Sequence, residues 1–335
     1  MRRKRFLSSA LALLFVGLAI TTCLGQVPKP PWASGGSSTQ KAPVSPGHSD
    51  TGPADDANST IKVDVKLVNV FVTVTDEHGA PVASLNKGDF QLREDGNQQK
   101  IAVFDKESPL PLSIVLDIDT SLSTRRDLPL ELASARRFTH AILRPVDGLA
   151  IFSISETVDQ VVPFTSDLNR IDRGIDHIRL GSATALYDAL YLGAQSLERR
   201  EGRKVLVVIT DGGDTVSKVD YQGALREAQE AEAIVYSIIV VPIEASAGRD
   251  LGGEHALIQL SSDTGGRYFY ATSVPQLDDA FRQISDELRT QYLLAYYPSN
   301  RLSESDFRRI EVQVSSIAGL KVRHRTGYYT SKSSF

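Results

Sequence analysis

Apolar residues alternate with polar ones at both ends of the chain. In IKVDVKLVNVFVTVTD (61–76), apolar side chains recur at every second position with one slip after residue 67, and turns follow at EHGAP and Gly96. The alternation returns in QYLLAYY (291–297), RRIEVQV (308–314) and LKVRHRTGYY (320–329). A period of two predicts strands with one buried face. We expect about four short strands in hairpins between residues 61 and 105, too few to bury a sheet alone, so both ends should combine into one β-sandwich.

The middle of the chain shows a different pattern. LSIVLDI, GLAIFSI, KVLVVIT and AIVYSIIVV are continuous apolar runs, which are typical of strands covered on both faces. Between them, apolar residues repeat at helical spacing of three and four. The three repeats are Leu128, Leu132, Ala135, Phe138 and Ile142; Leu186, Leu190, Ala194 and Leu197; and Leu277, Phe281, Ile284 and Leu288. Alternating strands and helices predict a doubly wound α/β domain with a mainly parallel sheet, inserted in the β-sandwich.

The N-terminus carries the pattern of an export signal. Four basic residues at positions 2 to 5 precede an apolar stretch, and small residues follow. We therefore expect residues 1–25 to be a signal peptide and residues 26–60, rich in Pro, Gly and Ser, to be a linker. The expected domains are 61–108 for the first part of the sandwich, 109–290 for the α/β domain and 291–330 for the second part.

Charge and cysteine content limit the possible partners and processing of the exported chain. Removing residues 1–25 takes four of the 37 basic residues and none of the 41 acidic ones, so the net charge moves from −4 to about −8. This acidic balance gives no electrostatic footprint for nucleic acid. The single cysteine, Cys23, lies inside the signal, where lipidation is an alternative to cleavage after Gly25, and an uncleaved anchor is a third. We expect a location in the periplasm, the cell envelope or the medium.

The stretch SIVLDIDTSLST (113–124) carries the candidate chemistry. Asp117 and Asp119 end an apolar run, and hydroxyl side chains follow. In a doubly wound domain the working site lies beyond the carboxyl ends of the strands. Two chemistries fit these residues: a phosphatase in which Asp117 attacks and Asp119 gives a proton, or a metal site formed by Asp119, Ser121 and Ser123.

Two further segments point to the metal site. Thr184 in GSATALYDAL and Asp211 in VLVVITDGGD follow DTSLS in the chain. Alone, each segment is typical of a helix cap or a turn. Together, in this order and spacing, they resemble the metal-ion-dependent adhesion site of von Willebrand factor type A domains. The resemblance implies that Ser121, Ser123 and Thr184 contact Mg²⁺, or Mn²⁺ or Ca²⁺, while Asp119 and Asp211 hold it mostly through water.

The resemblance covers about residues 61 to 330, where the chain looks like the exported VWFA-related proteins known chiefly from Acidobacteria. It implies a non-enzymatic adhesion module whose cation bridges to an exposed Asp or Glu of a protein partner. Two departures concern the site. Leu122 stands where the family usually has glycine, and Asp117 adds a negative charge under the metal.

Two other hypotheses remain. Asp117 to Leu122 also resembles the DxDx[ST]L opening of haloacid-dehalogenase-type phosphatases, but Lys204 and Asp214, the candidates for the later motifs, lie too close together, and Thr184 is left unexplained. The other hypothesis is a structural module of the same family with a degenerate site that binds no metal.

Overall fold

The computed structural model of the chain describes residues 67–106, 110–241, 250–299, 307–315 and 319–330. The expected signal peptide and linker lie outside these residues. The strands are β1 (Val68–Thr75), β2 (Phe90–Glu94), β3 (Asn97–Gln98), β4 (Ile101–Lys106), β5 (Leu112–Asp119), β6 (Gly148–Ile154), β7 (Val158–Thr165), β8 (Arg203–Thr210), β9 (Ile234–Val240), β10 (Tyr268–Ala271), β11 (Tyr292–Tyr296), β12 (Phe307–Val314), β13 (Lys321–Arg323) and β14 (Gly327–Tyr329). The helices are α1 (Leu128–Ile142), α2 (Leu168–His177), α3 (Leu186–Glu198), α4 (Tyr221–Glu230), α5 (Leu251–Thr264) and α6 (Val274–Thr290). Within the described residues, none of the helices has the length and apolar character that crossing a membrane requires.

A six-stranded sheet forms the middle of the molecule, in the order β10-β9-β8-β5-β6-β7. Every neighbouring pair is parallel except β6 and β7. The first strand of this sheet along the chain is β5. The chain then adds β6 on one side of β5 and later β8 on the other side. Strand order therefore reverses at β5 and β8, which is where ligand sites form in such sheets.

Two layers of helices cover this sheet. Ile114, Leu116 and Ile118 of β5 face a core with α1, α2 and α6, whereas Val115 faces a core with α3, α4 and α5. All eight residues of β5 are buried, which explains its continuous apolar run. The predicted α/β fold with a mainly parallel sheet is confirmed.

Two four-stranded antiparallel sheets, β13-β1-β11-β4 and β14-β12-β2-β3, form the β-sandwich. Residues from both sheets, including Val70, Leu92, Tyr292 and Val312, pack into one core. The sandwich predicted from the two ends of the chain is confirmed. The prediction of hairpins is wrong in part: β2 pairs with β3, but β4 crosses to the other sheet and pairs with β11. The free edge of β2 pairs with β12 instead, so strands from the two ends interleave.

A buried ionic network holds the two ends of the chain together. The Glu94 carboxylate accepts hydrogen bonds from Arg308 at 2.6 Å, from the Tyr296 hydroxyl at 2.6 Å and from the Tyr328 hydroxyl at 2.9 Å. All of the described residues belong to one compact unit. The exact domain boundaries stay predictions.

Candidate functional site

Asp119 is fixed at the end of β5. Its carboxylate is buried, and each oxygen accepts a hydrogen bond: Oδ1 from the Ser121 amide at 2.9 Å and Oδ2 from the Thr210 hydroxyl at 2.7 Å. Burial raises the pKa of Asp119, these hydrogen bonds lower it, and the charge of Asp211 raises it further, with a net increase. The carboxylate is therefore oriented by the chain itself.

Two hydroxyls stand side by side just beyond Asp119. The Oγ atoms of Ser121 and Ser123 are 2.9 Å apart; Ser121 is buried and Ser123 is exposed. A short 3₁₀ turn at Leu122–Thr124 shapes this segment. The Thr124 hydroxyl donates to the Asp119 carbonyl at 3.3 Å and to the Ser121 carbonyl at 3.0 Å. The turn thus presents both serine hydroxyls at this end of the sheet.

Thr184 approaches the same end of the sheet just before α3. It is buried, and its backbone is bound to the loop after β8: the Thr184 amide donates to the Thr215 hydroxyl, and the Thr215 amide donates to the Thr184 carbonyl, both at 2.9 Å. The loop between α2 and α3, which carries Thr184, also contacts the first segment: the Gly181 amide donates to the Thr120 carbonyl at 2.8 Å. Backbone hydrogen bonds therefore hold Thr184 beside the other two segments.

Asp211 is the first residue after β8 and is partly exposed. The Gly212 amide donates to the Thr210 hydroxyl at 3.1 Å, so the hydroxyl that orients Asp119 also shapes the turn that carries Asp211. Gly212 has a φ of 100°, which favours glycine. Asp211 lies near enough to Asp119 for its charge to raise the pKa of that carboxyl.

The five residues predicted from the sequence thus lie at one end of the sheet, beyond the carboxyl ends of the central strands β5 and β8. Direct hydrogen bonds join Asp119 to Ser121 and Ser121 to Ser123. Thr184 and Asp211 are tied to them through their neighbours in the chain and not by hydrogen bonds of their own side chains among the described residues.

The donor set fits a hard divalent cation. Mg²⁺ takes six oxygen ligands at about 2.0 to 2.1 Å, so two ligands at a right angle lie about 2.9 Å apart. The Ser121 and Ser123 hydroxyl oxygens have that separation. In the part of the chain that the structure describes, no group of three or more His, Cys, Asp or Glu residues is placed to hold a metal. Metal binding at this end of the sheet would therefore depend on hydroxyl ligands.

The geometry of Asp117 does not suit a phosphatase. The side chain is completely buried, and neither carboxylate oxygen has a hydrogen-bond partner among the described residues. Burial raises the pKa of Asp117 well above its usual value. Helix α3 packs directly on it, since a Cβ at Gly193 would lie 3.2 Å from Asp117 Oδ2. A phosphoester cannot reach this carboxyl.

The other phosphatase candidates also have different roles. The Lys204 ammonium donates to the Glu198 carbonyl at 3.0 Å, at the opposite end of β8 from Asp119. Asp214 accepts a hydrogen bond from the Leu186 amide at 2.8 Å and so stabilises the start of α3.

Sequence reasoning missed Thr210 and Glu131. Glu131, in the first turn of α1, is 1% exposed, and both of its carboxylate oxygens lack a partner among the described residues. Burial raises its pKa to about 8, helped by the charges of Asp119, Asp127 and Asp211. A signal existed for Glu131: it lies three residues after Leu128 and four before Ala135, on the apolar stripe of the helix.

Comparison with known proteins finds similarity to one domain family and to several solved structures. Residues 114–213 match the family model of the von Willebrand factor type A domain. This segment, 100 of the 335 residues, is therefore similar to von Willebrand factor type A domains. No curated protein matches it.

Several solved structures are similar to parts of the chain at low identity. BatB from Bacteroides thetaiotaomicron is 18% identical, with 53% of this chain and 100% of that chain covered and a TM-score of 0.43. A von Willebrand factor type A protein from Catenulispora acidiphila is 11% identical, with 78% of this chain and 73% of that chain covered and a TM-score of 0.47. The pilus adhesin SpaC from Lactobacillus rhamnosus GG is 9% identical, with 71% of this chain and 47% of that chain covered and a TM-score of 0.45.

Proposed function

We propose that the protein is a metal-dependent protein-binding module and not an enzyme. The observation that carries the proposal is the pair of serine hydroxyls, Ser121 and Ser123, 2.9 Å apart beside an oriented Asp119. This separation is that of two neighbouring ligands of an octahedral Mg²⁺.

Five residues would contribute to cation binding in two ways. The hydroxyl oxygens of Ser121, Ser123 and Thr184 would hold the cation directly. Asp119 and Asp211 would balance its charge, mostly through water. Because two hydrogen bonds already orient Asp119, its carboxylate needs little rearrangement when the cation arrives. When bound, the cation supplies a coordination position that a partner's carboxylate oxygen can fill.

Apolar side chains around the site favour a protein partner. Leu122, between the two serines, is 56% exposed. Leu180 and Val216 are also exposed, and they lie four residues before Thr184 and five after Asp211 in the chain. Aliphatic side chains that flank a partner's Asp or Glu would cover them, because removing apolar surface from water favours association.

The proposed location follows from the sequence pattern of residues 1–25. A basic start followed by an apolar stretch supports export to the periplasm, the envelope or the medium. Anchoring through Cys23 or an uncleaved signal belongs to the same proposal.

Isothermal titration of Mg²⁺ and Mn²⁺ into the full chain tests the proposal. Ser123→Ala removes one proposed ligand and should weaken binding at least about tenfold. Ser166→Ala is the matched control. Ser166 is an exposed serine just after β7, at the end of the sheet opposite the candidate site, so its replacement should leave binding unchanged. Equal binding by wild type and Ser123→Ala, or no binding by either, would leave a structural module with a degenerate site.

The phosphatase hypothesis has a test of its own. The wild type should not hydrolyse p-nitrophenyl phosphate with Mg²⁺ present, and Asp117→Asn should leave Mg²⁺ binding largely intact. Hydrolysis that Asp117→Asn abolishes would replace the present proposal.

A further inference from the structure

A pocket of 480 Å³ lies between the first turns of α1 and α6 and the carboxyl ends of β9 and β10. Its walls are mainly apolar and include Leu130, Val240, Ala271 and Leu277. The volume falls within the range of about 300 to 1,000 Å³ that is usual for small-molecule sites. Its residues differ from the five that form the candidate metal site.

One buried acid lines this apolar pocket. Glu131 is 1% exposed, and neither carboxylate oxygen has a hydrogen-bond partner among the described residues. Burying a polar group without a partner costs free energy, so such groups are rare in natural proteins. Unlike Asp117, Glu131 lines a pocket, so a small change of its side-chain rotamer would bring a carboxylate oxygen to a hydrogen-bond donor that enters.

The charges around Glu131 select the kind of donor. Asp119, Asp127 and Asp211 are near enough to raise its pKa, together with burial, to about 8. A positive group beside Glu131 would relieve this repulsion between acids, whereas an anion would add to it. Arg126 also lines the pocket, but it already takes part in an interaction of its own.

We propose that this pocket is a second binding site, for a small organic cation whose apolar body packs against Leu130, Val240 and Ala271 and whose N–H group pairs with Glu131. A bare metal ion is a poorer match, because a hard cation requires several oxygen ligands and these walls are apolar. The proposal is independent of metal binding and stands even when the serine hydroxyls hold no cation.

Benzamidinium and benzamide form a matched pair of probes for this pocket. They have nearly the same shape, but only benzamidinium is charged. Titrated into the full chain and followed by calorimetry or ligand-observed NMR, benzamidinium should bind at least tenfold more tightly than benzamide. Glu131→Gln keeps the size of the side chain and should remove that preference, while Glu201→Gln, an exposed glutamate, should retain it.

Leu130→Trp provides a second test, which leaves Glu131 in place. Leu130 is partly exposed at the pocket wall, so a larger side chain should fill the pocket without disturbing the core and abolish binding of both probes. Equal affinity for the two probes overturns the proposal. Benzamidinium binding that persists in Glu131→Gln and Leu130→Trp but is lost in Ser123→Ala also overturns it, because the cation then occupies the metal site.

Discussion

The Thr210 hydroxyl donates a hydrogen bond of 2.7 Å to Oδ2 of Asp119, across the neighbouring strands β8 and β5. Both residues are fully buried. The contact joins the first and third segments of the candidate site at the place where strand order reverses. The hydrogen bond fixes the rotation of the Asp119 carboxylate. The sequence alone predicts only that this aspartate lies at the end of a strand.

Replacing Thr210 by valine should weaken the candidate metal site. Thr210→Val keeps the shape of the side chain but leaves Asp119 Oδ2 without its donor. We expect the free energy of unfolding to fall by about 1 to 3 kcal/mol and the Mg²⁺ affinity to fall about tenfold. Urea unfolding and calorimetry measure the two effects, and Thr165→Val, at the far edge of the sheet, is the control. An unchanged Mg²⁺ affinity would contradict the role given to this contact.

Glu131 should make stability depend on pH in the absence of metal. Its folded pKa of about 8 lies above its ordinary value of 4.5, so the folded protein binds this proton more tightly than the unfolded chain does. The contribution to stability is complete below pH 4.5 and is lost as the pH rises to about 8.

Glu131→Gln should remove this pH dependence. Between pH 5 and pH 8 in EDTA, we expect the wild type to lose about 1 to 3 kcal/mol more unfolding free energy than the variant. Urea unfolding at several pH values measures the difference, with Glu201→Gln as the exposed control. Parallel curves for wild type and Glu131→Gln would show that Glu131 titrates normally.

The sandwich should depend on Glu94. Glu94→Ala leaves the buried guanidinium of Arg308 without its carboxylate and removes the acceptor of two tyrosine hydroxyls. We expect a loss of about 3 to 5 kcal/mol in unfolding free energy. Glu311→Ala, an exposed change on β12, should cost far less. A similar cost for both variants in urea unfolding would refute this role for the network.

Metal binding should reach the sandwich through α6. Glu287, near the end of this helix, pairs with Arg323 of β13 at 2.7 Å and Arg267 at 3.3 Å, and β11 begins two residues after the helix ends. We expect Mg²⁺ to change hydrogen exchange in residues 275–297 by at least about threefold, with residues 205–209 of the central strand β8 as the unchanged reference. Identical exchange with and without Mg²⁺ would exclude the coupling.

Local periodicity predicted many of the elements. The repeats in α1, α3 and α6 and the apolar runs of β5 and β8 are visible because each element buries its own stripe or faces. Helices α2, α4 and α5 and strands β7 and β10 were not predicted. In α4 the buried positions are mostly small or polar, such as Ala224 and Glu227, and β7 at the edge of the sheet is largely exposed, so neither carries a strong apolar signal.

The sequence by itself determined the type and order of the five candidate ligands, since each follows or precedes an element that its neighbours encode. Only the tertiary structure decided which groups meet. The pairing of β4 with β11, the hydrogen bond from Thr210 to Asp119 and the burial of Glu131 beside a pocket depend on contacts between distant segments. Side-chain rotation and solvent exclusion arise from those contacts, and no local pattern of residues encodes them.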